Sequence, residues 1–145
     1  MSRITKVVYI KAEPQKVLDY IASVENHPAF ISSLKSVDNL TGNPKEAGTT
    51  WEWTYLMAGV EVKGKAETVN FEEGKVYSYK TLSGLVSTFT YSVESADEGT
   101  KLTIDVVYEL PDNVIAKVLD KSVVERLNSE EADRAGETLQ AILEN

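Results

Sequence analysis

The sequence predicts an α+β fold in which an antiparallel sheet is paired with one long C-terminal helix. Three observations predict it. From about Asn113 to Leu143 the chain follows Pro111, contains no proline and one glycine, Gly136, and repeats apolar residues at helical spacing. Between Lys35 and Glu109 it alternates apolar and polar residues in short runs, the two-residue period of half-buried strands. Those runs are separated by glycine-containing turns at Gly42-Asn43-Pro44, Ala47-Gly48, Ala58-Gly59, Glu73-Gly74, Ser83-Gly84 and Glu98-Gly99, the punctuation of an antiparallel meander.

Size and charge narrow the function. A chain of 145 residues with 42% hydrophobic content buries one sizeable core, so residues 1–145 are expected to form a single domain. Against 15 Lys and Arg stand 23 Asp and Glu, and the net charge of -8 repels nucleic acid and anionic membrane surfaces. The absence of cysteine removes disulfides, thiol nucleophiles and thiolate metal sites, and a single histidine removes histidine clusters. No metal or cofactor is expected. Met1-Ser2-Arg3-Ile4 lacks the apolar segment of a signal peptide, and no apolar run is long enough to span a bilayer. The expected state is cytoplasmic, without stable membrane insertion, as a monomer or weak homodimer.

In chain order, Val7, Val8, Tyr9 and Ile10 are strand formers stopped by Ala12-Glu13-Pro14. Pro14 suits a first helical turn, and Val17, Leu18, Ile21 and Ala22 then recur at helical spacing. Asn26-His27-Pro28 restarts the chain, with Phe30, Ile31 and Leu34 as the apolar side of a second short helix. Trp51, Trp53 and Tyr55 share one face of the next clear strand, opposite Thr50, Glu52 and Thr54. Val60, Val62, Gly64 and Ala66 oppose Glu61, Lys63, Lys65 and Glu67. Leu102, Ile104, Val106 and Tyr108 oppose Lys101, Thr103, Asp105 and Glu109. Tyr77 and Tyr79 share a face with Phe89 and Tyr91 only across an odd-length loop, which Ser83-Gly84-Leu85 supplies.

The C-terminal helix begins after Pro111-Asp112-Asn113, a capping signal, and spans roughly 46 Å at about 1.5 Å per residue. Its front half is apolar on several sides through Val114, Ile115, Val118, Leu119, Val123, Val124 and Leu127. Behind it, Ala132, Ala135, Leu139, Ile142 and Leu143 narrow to one stripe, the face expected to clamp the sheet. Asn128-Ser129-Glu130-Glu131 has a spacing that would recap a helix after a break, which would make the front half a movable gate.

Ala12-Glu13-Pro14-Gln15-Lys16-Val17, His27-Pro28-Ala29-Phe30, Ala47-Gly48-Thr49-Thr50-Trp51, Glu98-Gly99-Thr100-Lys101-Leu102 and Tyr108-Glu109-Leu110-Pro111 occur in an order that covers nearly the whole chain. That order resembles the helix-grip fold of the START-like (SRPBCC) superfamily, which includes birch-pollen-allergen-like proteins, lipid-transfer domains, polyketide cyclase/dehydrase-like proteins and coenzyme Q-binding proteins. The resemblance implies a seven-stranded curved antiparallel sheet wrapped around the long helix, two short helices between strands 1 and 2, and a cavity between sheet and helix. Small residues Ala132, Ala135 and Gly136 are expected to line its helix side. The alternation puts Trp51, Trp53, Tyr55, Tyr77, Tyr79, Phe89, Tyr91 and Tyr108 on the inward faces. With Phe30, Ile31, Val62, Ile104, Val106, Val118 and Leu119 they make the candidate ligand-binding set, aromatic walls with a few hydroxyls to orient a largely apolar molecule.

Catalytic residues are not identifiable. His27, before Pro28 at a helix start, is expected to serve a surface turn or cap, and Glu52, Glu61 and Asp105 fall on the outer sheet face. Arg126, Glu130 and Arg134 have the spacing of an exposed ion-pair ladder, although Arg126 near the cavity would suit a ligand carboxylate or phenolate. No nucleophile, phosphate-loop, dinucleotide or zinc motif occurs. Three readings follow: a carrier for a lipid, quinone or aromatic polyketide-like molecule, a cyclase, dehydratase or aromatase using the same cavity, and an interaction module using the front of the long helix.

Overall fold

The computed structural model describes residues 2–57, 59–109 and 121–144. Seven strands, β1 (Ser2–Ile10), β2 (Leu34–Asp38), β3 (Thr50–Met57), β4 (Val60–Glu72), β5 (Val76–Thr81), β6 (Val86–Ala96) and β7 (Gly99–Glu109), form one antiparallel sheet in the order β1-β7-β6-β5-β4-β3-β2. Strands β2 to β7 are the expected meander, and β1 closes it by pairing with β7 from Ser2↔Tyr108 to Ile10↔Thr100. The curved sheet holds the C-terminal helix α3 (Lys121–Leu143), while α1 (Pro14–Ala22) and α2 (His27–Phe30) bridge β1 and β2. This is the expected helix-grip fold.

Each element follows from its local pattern. Pro14 stands at the start of α1, and Val17, Leu18, Ile21 and Ala22 are all fully buried, as their spacing requires. Trp51 and Trp53 are buried on β3 while Thr50, Glu52 and Thr54 are not. The β5–β6 register pairs Tyr77 with Tyr91 and Tyr79 with Phe89, so the four rings share one face and the parity centred on Gly84 holds.

Two glycines are demanded by close approach. Gly64 lies opposite Trp53 across β3 and β4, and a Cβ there would meet the Ser83 carbonyl oxygen at 2.1 Å and Trp53 Cζ2 at 2.5 Å. Gly84, at φ +86°, sits over the same indole and would drive a Cβ to 2.7 Å from the Lys63 carbonyl oxygen. The tip of the β5–β6 hairpin therefore folds onto β4, fixed by the Leu82 N–H on the Lys65 carbonyl at 2.6 Å and the Lys65 N–H on Ser83 Oγ at 3.1 Å.

Helix α3 docks by the stripe expected of it: Ala132, Ala135, Leu139 and Leu143 are buried. It runs without interruption through Asn128–Glu131, so the helix break considered there does not occur. Gly136, expected to face the cavity, instead packs on β1, where a Cβ would stand 2.5 Å from Val8 Cγ2. The expectations for Val114, Ile115, Val118 and Leu119 lie outside the described residues.

Candidate functional site

Between α3 and the concave sheet lies a cavity of about 110 Å³. Of the candidate ligand-binding residues, Ile31, Trp51, Trp53, Tyr55, Tyr79, Phe89, Tyr91, Ile104, Val106 and Tyr108 line it. Phe30 and Tyr77 are buried behind that wall, and half-buried Val62 packs against the core; these three back the wall rather than form it. The wall also takes in residues that alternation did not single out: Ile4, His27, Leu34, Thr81, Leu85, Ser87, Glu109, Asn128 and Glu131. Ala132 and Ala135 keep the helix side of the space open because a methyl is all they contribute.

The floor is a cluster of rings. His27 stacks on Tyr79 with centroids 5.2 Å apart, Tyr79 stacks on Phe89 at 4.8 Å, and Trp51 meets Tyr79 edge-on at 5.4 Å. Phe30 and Tyr77 buttress it through Tyr91 at 6.4 Å and 6.3 Å. His27 is thus not a surface cap: it is 1% exposed, and its Nε2 lies 2.8 Å from the Ile21 carbonyl. Because a carbonyl only accepts, Nε2 carries the proton, and burial pushes the imidazole pKa down to about 4 despite that bond.

The tyrosines shift the opposite way for the same reason. Burial pushes Tyr55 up to about 12, and the Glu131 charge adds to the rise, while a Ser33 hydroxyl and Arg134 oppose it. Tyr79 and Tyr91 are raised further, by burial first, with neighbouring tyrosines of the cluster adding to the rise. Near neutral pH these phenols keep their protons.

One buried charged group belongs to the wall. Glu131, 8% exposed on α3, accepts the Ser33 N–H at 2.8 Å, the Ser33 hydroxyl at 2.9 Å and the Ser32 hydroxyl at 2.9 Å, and Arg134 Nη2 lies 2.9 Å away. Burial alone would raise its pKa, but these donors together outweigh desolvation and hold the carboxyl below its ordinary value. Arg134 therefore pairs with Glu131, and the Glu130–Arg134 rung of the expected ladder does not form; Arg126 is exposed and does not line the cavity. A signal for Glu131 is present in the sequence, since it lies four residues before Ala135 and seven after Val124, on the apolar stripe.

Some polar atoms of the wall are left over. Trp53 Nε1 and the Tyr108 hydroxyl are buried without a hydrogen-bond partner, as is the Tyr77 hydroxyl behind the wall. On the outer sheet face, Asp105 binds Arg3 and Thr5, Glu61 pairs with Lys35 and Lys63, and Glu52 accepts from Asn39, the solvated roles expected of them. Among the described residues no cluster of His, Cys, Asp or Glu could hold a metal ion, and no helix is long and apolar enough to cross a membrane.

Solved structures share this architecture. TTHA0849 from Thermus thermophilus superposes with a TM-score of 0.80 at 18% identity, covering 97% of this chain and 95% of its own. A START superfamily protein from Mycobacterium smegmatis gives 0.76 at 13% identity, covering 98% and 97%. The Zhui aromatase/cyclase from Streptomyces sp. R1128 gives 0.75 at 14% identity, covering 99% and 93%. At such identities the likeness is one of fold. No curated protein matches the sequence. Residues 1–144 do match a family described as polyketide cyclase / dehydrase and lipid transport, and with the helix-grip sheet and its aromatic cavity in place, the chain belongs to that family.

Proposed function

We propose that this protein binds a hydrophobic small molecule, ring-shaped at its buried end, in the cavity between sheet and α3, and acts as a carrier. The observation that carries this reading is the wall itself, a part-open cavity of about 110 Å³ faced by Trp51, Trp53, Tyr55, Tyr79, Phe89 and Tyr91. An engineered apolar cavity of about 150 Å³ admits benzene, so this smaller, part-open space of about 110 Å³ suits one ring at the end of a molecule that projects out of it. Quinones and aromatic polyketide-like compounds fit that description better than the middle of an acyl chain. The membership of the family and the Zhui aromatase/cyclase likeness support both a carrier and a cyclase. Native mass spectrometry of protein purified gently from its own host tests the proposal. A co-purified hydrophobic ligand is expected; protein that arrives empty and takes up no member of a panel of quinones, aromatic ketones and lipids overturns it.

One observation favours the second reading, a cyclase or dehydratase. The Tyr108 hydroxyl is buried in the wall with its hydrogen-bonding capacity unused, as a group that stabilises an enolate would be. Turnover of a poly-β-ketone analogue that disappears in Tyr108→Phe would establish it over the carrier.

A further inference from the structure

The two unused donors of the cavity wall belong to residues that both touch the β5–β6 hairpin or pair with its strands. Trp53 pairs with Gly64 on β4, and the hairpin tip at Ser83 and Gly84 rests on that same indole. Tyr108 pairs with Ser87, whose hydroxyl is 3.0 Å from Thr81 Oγ1 at the base of the same hairpin. Both Trp53 and Tyr108 line the cavity, at 6% and 7% exposure, and neither Nε1 nor the hydroxyl has a partner. An orphaned buried donor is costly, and the neighbouring hydroxyl does not relieve it: Thr81 Oγ1 donates to the Leu85 carbonyl and accepts the Ser87 N–H.

Charge at the site adds a second constraint. Glu131 is ionised at the α3 side, with its lone pairs already taken by Ser32, Ser33 and Arg134, while Glu109, next to Tyr108 at the hairpin end, is exposed. An anion entering this space would approach the buried Glu131 carboxylate, whose donors are all engaged, in a medium less polar than water. We infer that Tyr108 and Trp53 select the ligand, which is an uncharged planar ring bearing a hydrogen-bond-accepting oxygen, such as a ketone, seated with that oxygen at the β5–β6 hairpin. This deepens the binding reading above and rests on it.

The probes are acetophenone, its carbonyl-free counterpart ethylbenzene, and benzoate, titrated by ¹H–¹⁵N NMR, with the Trp53 indole resonance assigned through Trp53→Phe. Acetophenone is expected to move the Trp53 indole proton downfield and ethylbenzene to leave it in place. Tyr108→Phe removes a hydroxyl that has no partner in the fold, so the variant stays folded. It is expected to weaken acetophenone about tenfold without altering ethylbenzene, a loss of about 1.4 kcal/mol. Benzoate is expected to bind at least about tenfold more weakly than acetophenone. Equal effects of Tyr108→Phe on both neutral probes, or an indole proton that responds alike to both, overturn the inference while leaving a binding cavity. Failure of every neutral probe to bind overturns the binding reading itself.

Discussion

Glu131 ties α3 to the segment between α2 and β2, and its removal tests whether that tie holds the cavity together. In Glu131→Ala the donors on Ser32, Ser33 and Arg134 lose their common acceptor. Hydrogen bonds to a charged group contribute about 1.5–3 kcal/mol each, but exposed Ser32 turns to water and recovers most of its share. Arg134, with a side chain 52% exposed, contributes less than about 1 kcal/mol. The part-buried Ser33 N–H and hydroxyl carry the rest, so the expected loss is about 2–4 kcal/mol. With a urea slope of about 2 kcal/mol/M this moves the unfolding midpoint down by about 1–2 M, read from tryptophan fluorescence. Exposed Glu130→Ala should stay within about 0.5 kcal/mol of the parent. A carboxyl whose folded pKa is depressed stabilises the fold above its unfolded value, about 4.3, and loses that contribution as pH falls through the folded value. The gap between parent and Glu131→Ala should accordingly be constant near neutrality and shrink below about pH 4. Equality of the two alanine variants, or a gap undiminished in acid, would refute the latch.

His27 and Gly64 supply two further tests. The histidine is unprotonated in the fold down to about pH 4, whereas the unfolded chain takes its proton near 6.5, so stability should fall by about 3 kcal/mol as pH drops between those values. The ring protons of this single histidine should not shift in NMR until about pH 4, and His27→Gln should flatten the slope; titration near 6.5 would contradict the burial argument. Gly64→Ala forces a methyl into the Ser83 carbonyl and the Trp53 ring and should cost about 2–3 kcal/mol with a change in tryptophan emission. Gly42→Ala, where a Cβ meets nothing closer than Thr49 Oγ1 at 3.6 Å, should be nearly neutral, and equal midpoints for the two variants would count against the packing described.

What the sequence discloses and what it hides divide along the range of the interactions. The alternation of Trp51, Trp53 and Tyr55 and the parity of the β5–β6 loop are local, because a strand has a period of two and a hairpin has a fixed centre. Those two rules suffice to pair Tyr77 with Tyr91 and Tyr79 with Phe89. The fate of His27 is not local. Its neighbours Asn26 and Pro28 look like a surface turn, yet Trp51, Tyr77 and Tyr79 from β3 and β5 close over the ring. Glu131 is hidden for the same reason: its partners Ser32 and Ser33 are 99 and 98 residues away along the chain, and helical spacing alone makes Glu130 as good a mate for Arg134. Alternation also cannot separate a ring that faces the cavity, such as Tyr91, from one a layer behind, such as Tyr77, since both lie on the inward face.

The protonation states of the wall bear on carrier against catalyst. A general acid or base works best with a pKa near the operating pH. His27 is depressed to about 4, Tyr55 is raised to about 12, and Tyr79 and Tyr91 are raised by burial as well. Glu131 is held below the usual carboxylate range and committed to Ser32, Ser33 and Arg134. Each of these groups is thereby locked in one protonation state near neutrality, the tyrosines as donors and Glu131 as an acceptor already engaged. Such a wall orients a ligand through fixed hydrogen bonds more readily than it exchanges protons with it. Chemistry here would have to come from holding a flexible substrate in a reactive conformation beside a fixed donor such as the Tyr108 hydroxyl, rather than from proton exchange with these groups. The fixed protonation of the cavity wall thus supports the proposed carrier over a catalyst that exchanges protons with its substrate.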